Sequence, residues 1–297
     1  MFENVIVGID GREGGRDALA LARMLCGERG RLTLAYVYSL EPRAWRGTTP
    51  EYDAQQREQA QELLARTREE AGVEAQFHVV GSPSVGRGLH ELAEEIDADL
   101  IVVGSAGRGL FGRVLVGDDT RAALNGAPCA IAIAPAGHGK RPSTIREIGV
   151  GYDGSPESEH ALGVARKLAS EQHAELSAFE AVSLPAYAFW GPPIPDEDTI
   201  DMLVERAHQR IAGIEGITPH ATYGNAAEEL ALYSASLDLL VVGSRGYGSL
   251  GRLVHGSTTL QLARTARCPL LVLTRAADAA EDSAGEGIHK VEAGLSG

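Results

Sequence analysis

Short apolar runs alternate along the chain with longer stretches in which apolar residues return every three or four positions. Runs of the first kind read as β-strands, and stretches of the second as amphipathic helices. In the first half the pattern predicts strands near 3–10, 31–38, 74–80, 99–104 and 129–134, with helices near 14–29, 51–71, 83–97 and 118–126. In the second half it predicts strands near 146–153, 174–182, 217–223, 238–243 and 269–275, with helices near 156–172, 197–213, 225–236 and 257–266. A strand such as "DLLVVG" (238–243) is apolar without alternation, which suits a parallel strand covered by helices on both faces. The expected architecture is α/β and doubly wound, twice over. In such sheets ligands bind beyond the carboxyl ends of the strands where the strand order reverses, so the first and fourth strands should carry the site.

The two halves are copies of one pattern. "NVIVGIDG" (4–11) returns as "EIGVGYDG" (147–154), and "ADLIVVGSAGRGLFGRVLVGDDT" (98–120) as "LDLLVVGSRGYGSLGRLVHGSTT" (237–259). "APCAIAIAP" (127–135) returns as "ARCPLLVLT" (266–274) at the same offset of 139 residues. The chain therefore reads as a tandem duplication. Its expected division is a first domain at 1–138, a linker at 139–145, a second domain at 146–277, and a small, polar, acidic tail at 278–297 that is expected to be disordered.

Composition narrows the function. A formal charge of −14 disfavours nucleic acid and anionic lipid as partners. No uninterrupted apolar segment approaches the length of a membrane span, and "MFENVIVGID" enters a strand without the flanks of a signal peptide, so a soluble cytoplasmic protein is expected. Cys26, Cys129 and Cys268 are too few and too scattered for a disulfide framework or a zinc site, and burial is their expected role.

Gly246, Gly248 and Gly251 imitate a dinucleotide fingerprint. That fingerprint belongs in the first strand–helix turn and needs an acidic residue about twenty positions on, whereas here it follows the fourth strand and no Asp or Glu follows until Asp278. The dehydrogenase reading fails. "GHGKRPS" (137–143) lacks the spacer of a P-loop. A better description is Gly243, two residues, Gly246, nine residues, Gly256 and Ser257, with Thr258 next. Glycines there let backbone N–H groups approach an anion, and the helix starting at Ser257 offers unsatisfied donors and the positive end of its dipole. Ser257 is suited to capping that helix, to binding a phosphate oxygen, or to both.

This spacing after "DLLVVG", together with "VGYDGS" in the first turn, resembles the universal stress protein family, and the resemblance covers both halves. It implies a five-stranded parallel sheet of order 3-2-1-4-5 in each domain and, in the motif-bearing branch, binding of ATP or a related adenine nucleotide. By resemblance Asp153 sits at the adenosine moiety, the backbone near Ala181 contacts adenine, and Gly243, Gly246, Gly256 and Ser257 enclose the phosphates. Asp10, Val37, Gly104, Gly107 and Gly117 are the first-half counterparts. Pairing of family members through their last strands implies an intramolecular pseudo-dimer; a further homodimer and a regulatory protein partner are open.

The halves differ where it matters. Asp118 and Asp119 follow Gly117 where Ser257 and Thr258 follow Gly256. Carboxylates beside phosphates repel by about 4 kcal/mol at about 4 Å and an effective dielectric near 20, unless Mg²⁺ bridges them. The second half is therefore the expected ATP site. The competing reading of Asp10 and Asp153, secondary to the ligand role, is that they simply cap the helices that follow them. Arg108, Arg113, Arg245 and Arg252 read as solvated or phosphate-facing, and His255 lacks the companions of a catalytic base. No catalytic residue or metal ligand is assigned. A weak ATPase or nucleotidyl transferase, and a scaffold with vestigial sites, are the competing functional classes.

Overall fold

The computed structural model describes residues 1–39, 50–105, 118–141, 144–183, 197–244 and 257–274, with backbone alone at 39, 50–53, 118, 119 and 257. The first half runs β1 (Phe2–Gly8), α1 (Glu13–Leu25), β2 (Cys26–Ser39), α2 (Pro50–Ala71), β3 (Gln76–Ser82), α3 (Val85–Glu95), β4 (Leu100–Gly104), α4 (Asp118–Leu124) and β5 (Ala130–Ala134). The second runs β6 (Glu147–Gly151), α5 (Pro156–Gln172), β7 (Glu175–Val182), α6 (Glu197–Ala212), β8 (Thr218–Tyr223), α7 (Ala226–Tyr233), β9 (Leu239–Gly243), α8 (Ser257–Thr265) and β10 (Leu270–Leu273).

Local chemistry sets the helix starts. Ser84 and Ser155 accept the N–H groups of Arg87 and Ser158 through their hydroxyls, and Asn225 accepts those of Ala227 and Glu228. Each satisfies donors that a first helical turn leaves open. Along α5, Ala161, Leu162, Ala165, Leu168 and Ala169 form one buried stripe, and α1 buries Ala18, Leu21, Ala22 and Leu25 in the same way. The largest boundary difference from the sequence expectation lies where α1 meets β2: α1 stops at Leu25 instead of running to 29, and β2 starts at Cys26 instead of 31. Cys26 already pairs with Phe2, the ladder then slips so that Asn4 pairs with Arg31, and the intervening Gly27 and Gly30 take up the slack. Cys26 is only half-buried as a result, whereas Cys129 and Cys268 are buried as expected.

The described strands form one ten-stranded sheet in the order β3-β2-β1-β4-β5-β10-β9-β6-β7-β8. Within each half the pairing is parallel. The halves join through an antiparallel ladder in which Leu270, Leu271 and Val272 oppose Ile133, Ala132 and Ile131. Both final strands thereby lose an exposed edge. Alternation sends Ala130, Ala132, Ala134, Leu271 and Leu273 to a core shared by both halves beneath α1 and α5. Ile131, Ile133, Leu270 and Val272 enter a second shared core, with residues of α3, α4, α7 and α8. Neither core belongs to one half alone.

Part of the segment expected as a polar joint is folded. His138–Lys140 form a single 3-10 turn, and the Asp17 carboxylate on α1 accepts the N–H groups of Gly137 at 2.8 Å and Gly139 at 2.7 Å. His138 is buried at 5% exposure, and neither ring nitrogen has a hydrogen-bond partner among the described residues. Burial holds its pKa below the usual 6.5; Asp17 and Asp238 oppose that shift and Arg141 reinforces it. The folded protein therefore binds a proton at His138 less readily than the unfolded chain does, so stability contributed here is present above pH 6.5 and declines as pH falls below it. Urea midpoints measured at about pH 7.5 and about pH 5.5 should fall further for the natural protein than for His138→Leu; equal declines would show that His138 is not the group responsible.

Candidate functional site

The strand order reverses beside β1 and β4 in the first half, and a cleft opens there. It encloses about 150 Å³ and its lining includes Asp10, Arg12, Val37, Gly104, Ser105 and Thr120. Three residues singled out from the sequence, Asp10, Val37 and Gly104, thus share one cavity although 94 positions separate the first from the last. Gly107 and Gly117 lie outside the described residues, as do Arg108 and Arg113. The backbone of Asp118 and Asp119 opens α4, immediately before Thr120, whose hydroxyl donates to the Gly104 carbonyl at 3.1 Å.

The second half repeats the placement. Asp153 follows β6, Ala181 lies near the end of β7, and Gly243 ends β9. Ser257 and Thr258 begin α8. Gly246 and Gly256 lie outside the described residues, together with Arg245, Arg252 and His255.

The aspartates do not cap helices directly. Asp10 accepts the N–H of Arg12 at 2.9 Å, and Asp153 accepts both the N–H of Ser155 at 3.0 Å and its hydroxyl at 2.5 Å. Both are Asx turns, which fix the bend leaving the strand and present the carboxylate at its tip. In the second half Ser155 then caps α5, so Asp153 acts on the helix only at one remove.

Gly104 and Gly243 have a packing reason as well as a position. A methyl group on Gly104 would run into the Gly14 backbone at the start of α1, and one on Gly243 into the Glu157 carbonyl at the start of α5. Only glycine lets the helix start come this close to the strand end.

Ser105 and Ser244, one residue further on, were not singled out from the sequence. Each donates its N–H to the last strand, to Ala134 at 2.9 Å and to Leu273 at 3.0 Å. Each hydroxyl is buried and lacks a partner among the described residues. Buried polar groups are rarely left unsatisfied, so a hydroxyl lining the first-half cleft in this state fits a ligand rich in hydrogen-bonding atoms. The "VVGS" repeated at 102–105 and 241–244 is the signal that the sequence offers for them.

A polar cluster behind Asp153 had no signal in the sequence. Tyr152 donates its hydroxyl to Glu159 on α5, and Arg210 on α6 donates to Glu180 on β7 at 3.1 Å and to the Asp153 carbonyl at 3.3 Å. Burial, then the hydrogen bond and charge of Glu159, push the Tyr152 phenol up to about 12, so it remains a donor. Burial likewise pushes the Cys129 thiol up to about 12, which suits a packing group and not a nucleophile. Among the described residues no group of three or more His, Cys, Asp and Glu side chains is placed to hold a metal ion, and no helix is long and apolar enough to cross a membrane.

Asx turns after the first strand of each half, beside the glycine that ends the fourth, and parallel pairing repeated within each half of one sheet define a tandem doubly wound α/β protein. The model of the universal stress protein family matches residues 1–135 and again residues 144–274, and the chain belongs to that family, carrying its domain twice. A universal stress protein of Mycobacterium bovis is 31% identical over 189 residues, 59% of this chain and 62% of that relative, so less than two thirds of its length is matched. A second, from Mycobacterium tuberculosis, is 24% identical over 228 residues, 72% of this chain and 77% of that one. Among solved structures, a universal stress protein of Archaeoglobus fulgidus has a TM-score of 0.63 at 20% identity, covering 92% of this chain and 98% of its own. One from Pseudomonas aeruginosa has a TM-score of 0.62 at 20% identity, covering 96% and 98%. These likenesses show the fold.

Proposed function

We propose that this protein binds ATP or a related adenine nucleotide and acts in stress response or signalling through nucleotide-dependent contact with a regulatory protein in the cytoplasm. The observation that carries the reading is the convergence on one cleft of Asp10, Val37, Gly104 and a Ser105 hydroxyl without a partner among the described residues, with Asp153, Ala181, Gly243 and Ser244 at the matching strand ends of the second half. In each half the aspartate would accept the ribose hydroxyls, with Val37 or Ala181 at the base. Gly104, Gly107 and Gly117 would enclose phosphates in the first half; Gly243, Gly246, Gly256, Ser257 and Thr258 would do so in the second. A bound nucleotide would bring a charged phosphate chain, with or without Mg²⁺, to these strand ends.

The second half is the stronger site in this reading. Its motif brings hydroxyls at Ser257 and Thr258 to the helix start, where the first half brings the carboxylates of Asp118 and Asp119. Calorimetry with ATP and Mg²⁺ on the intact chain, Gly246→Glu and Gly107→Glu tests this through stoichiometry. Loss of binding in Gly246→Glu alone is the expected result. Equal losses in both variants would mean two working sites, and no binding by the natural chain would leave a scaffold with vestigial sites.

A further inference from the structure

Among the described residues, the cluster behind Asp153 has no counterpart in the first half. Tyr152 and Ile9 both donate their N–H to the second strand of their own half, to Phe179 at 3.0 Å and to Ala35 at 2.9 Å, which aligns the two turns. Glu180 then stands where the first half has Tyr36. Beneath the turns, a methyl group on Gly11 would meet Leu63 at 3.2 Å, and one on Gly154 would meet the Arg210 side chain at 3.5 Å. The floor of the first-half turn is thus a leucine, and that of the second is a guanidinium.

We propose that Arg210 is a positioning residue of the second-half nucleotide site, braced by Glu180, and that this brace makes nucleotide affinity in that half depend on pH. The proposal rests on the nucleotide-binding reading above. Arg210 spans from α6 to the backbone of Asp153, the residue whose carboxylate would hold the ribose, and it also donates to Glu180. A carbonyl held from below fixes the turn that aims the carboxylate above. The guanidinium is half-exposed, with 47% of the side chain accessible, whereas 11% of the Glu180 side chain is, so the carboxylate is the fixed end of the brace.

Glu180 is also the titrating end. Its Oε2 is buried without a partner among the described residues. Burial raises its pKa; Arg210 opposes that rise and Asp153 adds to it. The charged and titratable groups around it are Arg210 from α6, Asp153 from the β6–α5 turn, Tyr152 at the end of β6, and Glu159 of α5 behind the phenol. With Glu180 ionised, Arg210 is held by a charge-assisted bond. Protonation leaves a neutral acceptor, the guanidinium swings more freely toward solvent, and the Asp153 turn loses its support. That loss comes at a higher pH than for an ordinary glutamate.

The test is ATP affinity from about pH 7.5 down to about pH 4.5, which reaches the ordinary glutamate value of 4.5, in the intact chain carrying Gly107→Glu, which confines binding to the second half. The parent is expected to lose affinity on the order of fivefold across that range. Glu180→Gln, of the same shape, should bind weakly at the upper pH and show little further loss. Arg210→Met should match it there, with Arg210→Lys recovering part of the affinity; thermal melting of each variant without ATP reports folding separately. A Glu180→Gln protein that keeps the parent's affinity and pH profile overturns the inference and leaves nucleotide binding standing. Absence of ATP binding in the natural chain overturns both.

Discussion

Leu271→Asp is expected to lose on the order of 4 kcal/mol of stability or more, and to lose it from both halves in one transition. Leu271 is fully buried in the middle of β10, opposite Ala132 of β5. A carboxylate there leaves water with no cation to pair it, while the leucine volume that filled the core against the alanines of β5 is removed. The damage cannot stay local, because Leu271 belongs to a core that also contains Val5, Leu21 and Leu100 of the first half and Val150, Leu168 and Val241 of the second. Urea unfolding followed by far-ultraviolet circular dichroism is the measurement. A midpoint close to the natural protein's, or loss of the second half with the first still folded, would show that the halves do not depend on their junction. Leu271→Ala, which removes volume without adding charge, should lose about 2–5 kcal/mol.

Gly243→Ala is expected to have the next largest effect. The added methyl points into the Glu157 carbonyl at the start of α5, and backbone does not give way as a flexible side chain would. Overpacking of this kind costs about 1–3 kcal/mol, or about 2–4 °C of Tm per kcal/mol for a chain of this size. Because the helix start must retreat, the Asp153 turn moves with it, so weaker ATP binding should accompany the lower Tm. Gly163→Ala is the control: it lies within the same helix, a methyl there meets nothing within 4 Å, and replacing a helical glycine with alanine should raise stability slightly. If Gly243→Ala melts with the natural protein, the close approach of α5 to the end of β9 is wrong.

These two positions show how unevenly the molecule can be read from its sequence. Gly243 was visible as part of a spaced motif, yet the motif suggested a phosphate, and only the folded chain reveals the Glu157 carbonyl against its Cα. Ser105 and Ser244 stood in plain view beside the glycines. Their burial, with no hydroxyl partner among the described residues, depends on what the last strand and the following helix cover. The Asx turns of Asp10 and Asp153, set by the N–H two residues on, stand where the sequence also allows a direct helix cap, and they are compatible with a ligand role.

The sequence by itself determined the duplication, the order of strands and helices, and the end of each sheet that carries the special residues. Those features depend on local periodicity and short-range turn chemistry, which neighbouring residues encode directly. Tertiary structure alone decided the register in which β5 and β10 merge two sheets into one, the sharing of both cores, and the meeting of Arg210 with Glu180 and the Asp153 carbonyl. Arg210 lies 57 positions from Asp153 and 30 from Glu180. No local pattern signals contacts at such separations; they exist only once helices and strands have packed, and buried polar groups have had to find partners across that packing.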